Sequence, residues 1–279
     1  MNEKLKAASL KTRVISAAVA VTLLALVGWR FEAFGLEVLV GLTIALMVRE
    51  YLRLSLLPLQ ISRPLLIWFL LCALGLFAAV LVSQEPLLMT SVCIAAFLTV
   101  SLWLTRNRMP NDKLLTALSL GVLGFFLCVV FPTYEIHTLR LPNGMAWFVL
   151  HLLIVFAGDV FAYFGGILWG KEKLMPQISP KKTVAGSFAG LVGSVVIGVI
   201  FAAIALKHTR SWQVALFALV CGFVAQMGDL LISLIKRVAD VKDSGSIMPG
   251  HGGVLDRIDG VIVTCPLIYA FALAAETWL

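Results

Sequence analysis

The chain has 279 residues, 61% of them apolar and 13% Asp, Glu, Lys or Arg, with a mean hydropathy of +1.00; soluble domains carry about twice that share of charge. This composition excludes a soluble globular enzyme, a disordered chain and a disulfide-stapled secreted module, and it leaves an all-α polytopic membrane protein. The formal charge of +7 suits either nucleic acid or an anionic membrane surface, and only the placement of the charges separates the two.

Nine apolar runs are predicted as spans, at about 14–29, 34–48, 65–82, 86–104, 114–131, 145–169, 184–206, 214–235 and 258–278. The first two are short and separated only by Arg30 and Glu32, so they form either a tight helical hairpin or one long broken segment. Lys4, Lys6, Lys11 and Arg13 precede the first run, and because a second run follows at once they read as the flank of an uncleaved anchor. With the N-terminus inside, alternation of nine spans leaves only Arg30, Arg140, Lys207 and Arg210 of the 22 basic residues on the outer side. Positive charge then marks the cytoplasmic face of an inner, cytoplasmic membrane, with no nucleic-acid partner. Residues 1–140 hold the N-terminal helices and 141–279 a C-terminal region carrying the chemistry, within one continuous membrane domain. Five cysteines lie in apolar runs without a C-x-x-C pair, and they read as packing thiols.

Two carboxylates lie deep inside these runs. Asp229 lies about 9 Å and Asp159 about 15 Å from the inner ends of their spans, at 1.5 Å per residue. A charge at such depth costs about 2.5–3.5 kcal/mol, so it needs a partner, a cavity or a proton. Asp229, Ser233, Lys236 and Arg237 share one helical stripe leading to the inner face; the plainer reading is a buried acid balanced by a lysine two turns away. The loop that follows carries Lys242, Asp243 and a Gly250–Gly253 stretch that enters the last helix. There, backbone amides can converge on an anion. Asp256 and Asp259 fall one turn apart beyond it, and carboxylates beside a phosphate cradle point to Mg²⁺; an ordinary glycine turn is the alternative. In the preceding inner loop Ser179, Lys181, Lys182 and Thr183 offer phosphate contacts just before a helix. His137 and His208 fall in outer loops and His151 near the outer end of its span; all three read as non-catalytic, and no H-x-x-x-H or Cys/His spacing announces a zinc site.

Ser233-x-x-Lys236-Arg237, Lys242-Asp243-Ser244-Gly245, Pro249-Gly250-His251-Gly252-Gly253 and Leu255-Asp256-Arg257-Ile258-Asp259 together resemble the signature of the phosphatidate cytidylyltransferase (CDP-diacylglycerol synthase) family. Ser179 to Thr183 and the segment from Gly158-Asp159 to Gly170 are similar to its second conserved region. The resemblance implies that CTP and phosphatidic acid form CDP-diacylglycerol and pyrophosphate, in a homodimer that requires Mg²⁺. On this view Asp229 and Asp256 hold Mg²⁺, and Asp259 and Asp159 support or orient, with room for a second cation. Lys181, Lys182, Lys236, Arg237 and Arg257 meet phosphates, and His251, Gly252 and Gly253 supply amides. Ala185 and Ile232 stand where the family carries acidic or amide side chains. Those departures leave open a displaced second cation, altered nucleotide contacts or a paralogue of weakened activity. The competing functions are CTP-dependent transfer to another membrane lipid, a transporter with Asp159 and Asp229 on an ion path, and a catalytically inert relative.

Overall fold

Hydrocarbon offers the backbone no hydrogen bonds, so apolar runs of this length cross a bilayer as helices. The computed structural model describes residues 3–83, 86–106, 109–207, 209–247 and 252–277, and apart from one small two-stranded hairpin it is built from helices. Helix α1 (Glu3–Tyr51) continues through a π-helical stretch, Leu52–Leu56, and a short turn, Leu57–Leu59. Then come α2 (Arg63–Val82) and α3 (Pro86–Leu104). Helices α4 (Asn111–Phe125) and α5 (Phe131–Leu139) are joined by a second π-helical stretch, Phe126–Val130, into one crossing. The chain ends with α6 (Gly144–Trp169), α7 (Val184–Ala205), α8 (Ser211–Val238) and α9 (Asp259–Thr277). Both π-helical stretches run into a proline, Pro58 or Pro132, which lacks the N–H and crowds the carbonyl four residues back.

Among the described residues eight helical segments are long and apolar enough to cross a membrane. The difference from nine apolar runs arises in α1, which contains the first two. Glu32 (φ 54°, ψ −144°) breaks it, so that Gly35 packs against Val27, a residue that a straight helix would hold about 12 Å away. The two runs therefore meet at a sharp bend and do not continue as one straight helix.

Two cores hold the bundle together, and the first of them crosses the sequence boundary near residue 140. The first joins Met47 and Tyr51 of α1, Phe69 and Leu76 of α2, Phe97 of α3 and Phe125 of α4 to Ile232 and Ile235 of α8. Phe69 stacks on Phe125 at 4.7 Å, with Phe97 edge-on to Phe125 at 4.9 Å. The second joins Trp147, Leu150 and Ile154 of α6 to Ala218 and Cys221 of α8 and Ile268 and Ala272 of α9. Small residues let α6 and α7 touch along their backbones, with Gly158 against Ser194 and Gly186 against the Ala162 carbonyl. At the end of the bundle where α1 enters it, Arg140 donates to both Glu37 oxygens, at 3.0 and 2.7 Å, and to the Leu81 carbonyl at 3.3 Å.

The first core has no slack around Tyr51, which is fully buried and donates to the Leu120 carbonyl at 2.8 Å. A Cβ on Gly124 would lie 2.5 Å from the Tyr51 ring, whereas one on Gly75 would meet nothing within 4 Å. Gly124→Ala is expected to destabilise the detergent-solubilised protein by about 1–3 kcal/mol. Gly75→Ala should be neutral or stabilising by up to about 1 kcal/mol. Thermal unfolding of the two variants checks the contrast.

Candidate active site

The loop between α8 and α9 is anchored by two buried carboxylates. Glu50, at the end of α1 and 1% exposed, accepts the amides of Val254 at 3.0 Å and Leu255 at 2.9 Å and the Ser244 hydroxyl at 3.0 Å. Asp256 accepts the Ser244 amide at 2.7 Å, the Ser244 hydroxyl at 2.9 Å and the Gly253 amide at 3.0 Å on Oδ2. Its Oδ1 accepts Lys236 Nζ at 2.6 Å. Burial pushes the Asp256 carboxyl up, but the Lys236 ammonium and the two amides outweigh it and hold the group below the usual carboxylate range. Gly252 turns the chain at φ +82°, and a Cβ on Gly253 would run into Ser244 Oγ and Glu50. The glycines are thus what allow the backbone to close around both acids.

Three further carboxylates converge from separate helices. Asp229 on α8 pairs with Lys182 Nζ at 2.6 Å and accepts the Ser233 hydroxyl at 3.3 Å. Asp159 on α6 lies within electrostatic reach of Asp229, Lys182 and Arg257. Asp259, opening α9, interacts with Asp229, Asp159 and Lys236 and accepts the Gly260 amide at 2.9 Å. Oxygen donors from three helices thus lie within electrostatic reach of one another, interleaved with cations, and oxygen donors are the ligands that hard divalent ions take.

The segment between α6 and α7 forms a small antiparallel hairpin, β1 (Lys173–Met175) and β2 (Ser179–Thr183). It presents Lys181 outward and turns Lys182 to Asp229. Thr183 caps α7 by accepting the Gly186 amide at 3.1 Å. Arg237 donates to the Ile178 carbonyl at 3.1 Å and so holds the hairpin turn. The stripe expected on α8 therefore exists, but its members divide: Asp229 and Ser233 face the hairpin lysine, Lys236 the Asp256 carboxylate, and Arg237 the hairpin backbone. Lys242, Asp243 and Arg257 are exposed. His251 lies outside the described residues. Ala185 is half-buried in the first turn of α7, and Ile232 is buried in the first core.

Glu50 has no place in the sequence motifs, although an acid at the end of an apolar run is the same signal that singles out Asp229. Gln226 also emerges only in three dimensions. One turn before Asp229, it donates to the Ser187 carbonyl at 3.1 Å and accepts the Ser187 hydroxyl, fastening α8 to α7. His137 belongs to α5, not to a loop, and its Nε2 lies 3.0 Å from the Val80 carbonyl; His208 lies outside the described residues.

Residues 11–275 match the model of the cytidylyltransferase family. A Brucella abortus protein named phosphatidate cytidylyltransferase is 40% identical over 136 residues, covering 48% of this chain and 50% of its own. One of that name from Synechocystis is 41% identical over 144 residues, covering 51% and 48%. Phosphatidate cytidylyltransferase 5, chloroplastic, of Arabidopsis thaliana is 35% identical over 210 residues, covering 65% and 50%. The chain spans about half the length of the curated relatives it matches. With its carboxylates, lysines and glycine-rich loop inside a match that takes in nearly every residue, this membrane protein belongs to the cytidylyltransferase family.

Proposed function

We propose that the protein is a phosphatidate cytidylyltransferase, joining CTP and phosphatidic acid into CDP-diacylglycerol and pyrophosphate. The observation that carries this reading is the convergence of Asp159, Asp229 and Asp259 with Lys182, Lys236 and Arg257 beside a loop fixed by Glu50 and Asp256. A phosphate oxygen of the lipid attacks the α-phosphorus of CTP, a P–O bond forms, and the bond to the β-phosphate oxygen breaks to release pyrophosphate. With a second pKa of about 6, a phosphate monoester is already ionised near neutrality and needs no general base. The barrier is the meeting of two anions, so positioning and charge neutralisation are what the site must supply.

Asp229, Asp159 and Asp259 would hold Mg²⁺, with capacity for a second cation, since they offer only hard oxygen donors and carry excess negative charge. Bound there, the ion would supply neutralisation of the triphosphate and Lewis-acid polarisation of the phosphoryl group. Asp256 is assigned a different part from the one its sequence position suggests. Its oxygens are taken by Lys236, Ser244 and Gly253, so it orients the loop and that lysine. Exposed Lys181 and Arg257 are available to meet incoming phosphates, with Lys182 exchanging between Asp229 and substrate. The excess of basic loop residues at this end of the bundle supports a cytoplasmic active site in an inner membrane, where CTP and inner-leaflet phosphatidate meet. The homodimer implied by family resemblance remains part of the proposal.

The deciding experiment supplies the purified protein with Mg²⁺, CTP and phosphatidate and measures pyrophosphate release and CDP-diacylglycerol together. Product formed only from another lipid acceptor would replace phosphatidate as the substrate, and flux across proteoliposomes without pyrophosphate would replace the enzyme by a transporter. Asp229→Asn and Asp259→Asn are expected to lower kcat by about 10²-fold or more while the melting temperature stays the same or rises, because mutual repulsion is relieved. Asp256→Asn should instead lose activity and thermal stability together, since its one amide oxygen can serve either Lys236 or the two loop N–H donors and sets an NH2 group against the other. Glu50→Gln should cost about 1–3 kcal/mol through the loop. Faster tryptic cleavage at Lys242 than in wild type would register that loosening, and unchanged cleavage would remove Glu50 from its anchoring role.

A further inference from the structure

We infer that Glu135, His151 and Cys265, with Cys221 beside them, form a buried site for a divalent transition metal of the zinc class, separate from the carboxylate cluster. The three side chains come from α5, α6 and α9, are each at most 3% exposed, and offer ligand atoms that all lie within 4.8 Å of one another. Cys221 of α8 is fully buried and adjoins both the imidazole and Cys265.

The hydrogen bonding points inward to a ligand. Thr264 spends its hydroxyl hydrogen on the Gly260 and Val261 carbonyls, both at 2.9 Å. It can therefore only accept at its 2.7 Å contact with His151 Nε2. With Nε2 protonated, Nδ1 lies 3.0 Å from Glu135 Oε2, an ion pair whenever the ring carries its second proton. A metal ion would take the place of that Nδ1 proton in the space that Cys265 also borders. The other carboxylate oxygen, Glu135 Oε1, is buried without a hydrogen-bond partner. The same ion would satisfy it. Metal-binding histidines characteristically give their second N–H to a neighbouring oxygen, as His151 does to Thr264.

The donor set also selects the ion. Imidazole, thiolate and carboxylate are the ligands of zinc, whereas magnesium and calcium take oxygen alone. One carboxylate and one thiolate cancel a divalent charge, so the assembly is neutral where a net charge would be costly. On binding, Cys265 releases the thiol proton that it otherwise directs to the Val261 carbonyl at 3.2 Å, and the metal–sulfur bond takes its place. Cys265 lies about 9 Å along α9 from Asp259, at 1.5 Å per residue, so the ion would pin α9 to α5 and α6 just behind the active-site carboxylates. No spacing in the sequence betrays this grouping, because each ligand belongs to a different helix.

The test uses the full-length protein in detergent, loaded with Zn²⁺, freed of loose metal with a weak chelator and assayed for metal per chain, and separately loaded with Co²⁺ for absorption spectroscopy. Wild type should retain about one zinc per chain and show thiolate-to-cobalt charge transfer. Cys265→Ser should abolish that band and, like Glu135→Gln, lower zinc retention by about tenfold or more, while Asp229→Asn leaves both unchanged. Wild-type protein that folds, retains less than about a tenth of a zinc per chain and gives no sulfur-to-cobalt band would overturn the site. Loss of zinc in Asp229→Asn but not in Cys265→Ser would move the metal to the carboxylate cluster and overturn it equally. The wild-type spectrum decides the matter even where a variant does not fold.

Discussion

A carboxylate on a helix surrounded by hydrocarbon is tolerable only where other polar groups reach it, and much of this bundle's architecture follows from satisfying that demand. Asp229 obtains Lys182 from a hairpin outside the helices, and Asp256 obtains Lys236 and two amides from a folded loop. Glu50 obtains the rest of that loop. Each acid therefore recruits a different piece of chain, and together they bring the connections on either side of α7 and α8 to the same end of the bundle.

The acids then divide by how completely they are satisfied. Glu50 and Asp256 are surrounded by donors and buried, which makes them part of the scaffold. Asp159, Asp229 and Asp259 repel one another and share too few cations, which makes them receptive to added positive charge. A loop held in place next to an electrostatically unfinished cluster is the division of labour that the proposed cytidylyl transfer requires, since neither substrate carries a charge that would draw the other in.

Much of this is legible in one dimension. Apolar runs give the helices because their length is set by the bilayer, and Asp229 and Asp159 stand out because charge within such runs is rare. The glycine-rich segment betrays a close backbone approach. Pairings between distant segments are not legible: Glu50 lies 194 residues from Ser244, and nothing local distinguishes it from a solvated acid beside Arg49. Lys182 looks like one of two adjacent phosphate contacts until the hairpin turns one lysine inward and the other out. Asp256 and Asp259 look equivalent at one-turn spacing, yet the first belongs to a loop and the second opens a helix, so their oxygens meet different partners. The break at Glu32 was visible as an interruption, whereas its angle depends on packing.

Helix α1 carries both Glu37, clamped by Arg140, and Glu50, clamped by the loop before α9. At 1.5 Å per residue these two fixed points are about 20 Å apart. The helix is thereby tied to both faces of the protein and cannot slide along its axis without breaking a multidentate carboxylate at one end or the other. Bilayers of unequal thickness must consequently be met by tilting the whole bundle or by deforming the surrounding lipid, and the loop before α9 keeps its height relative to the protein whichever membrane it occupies.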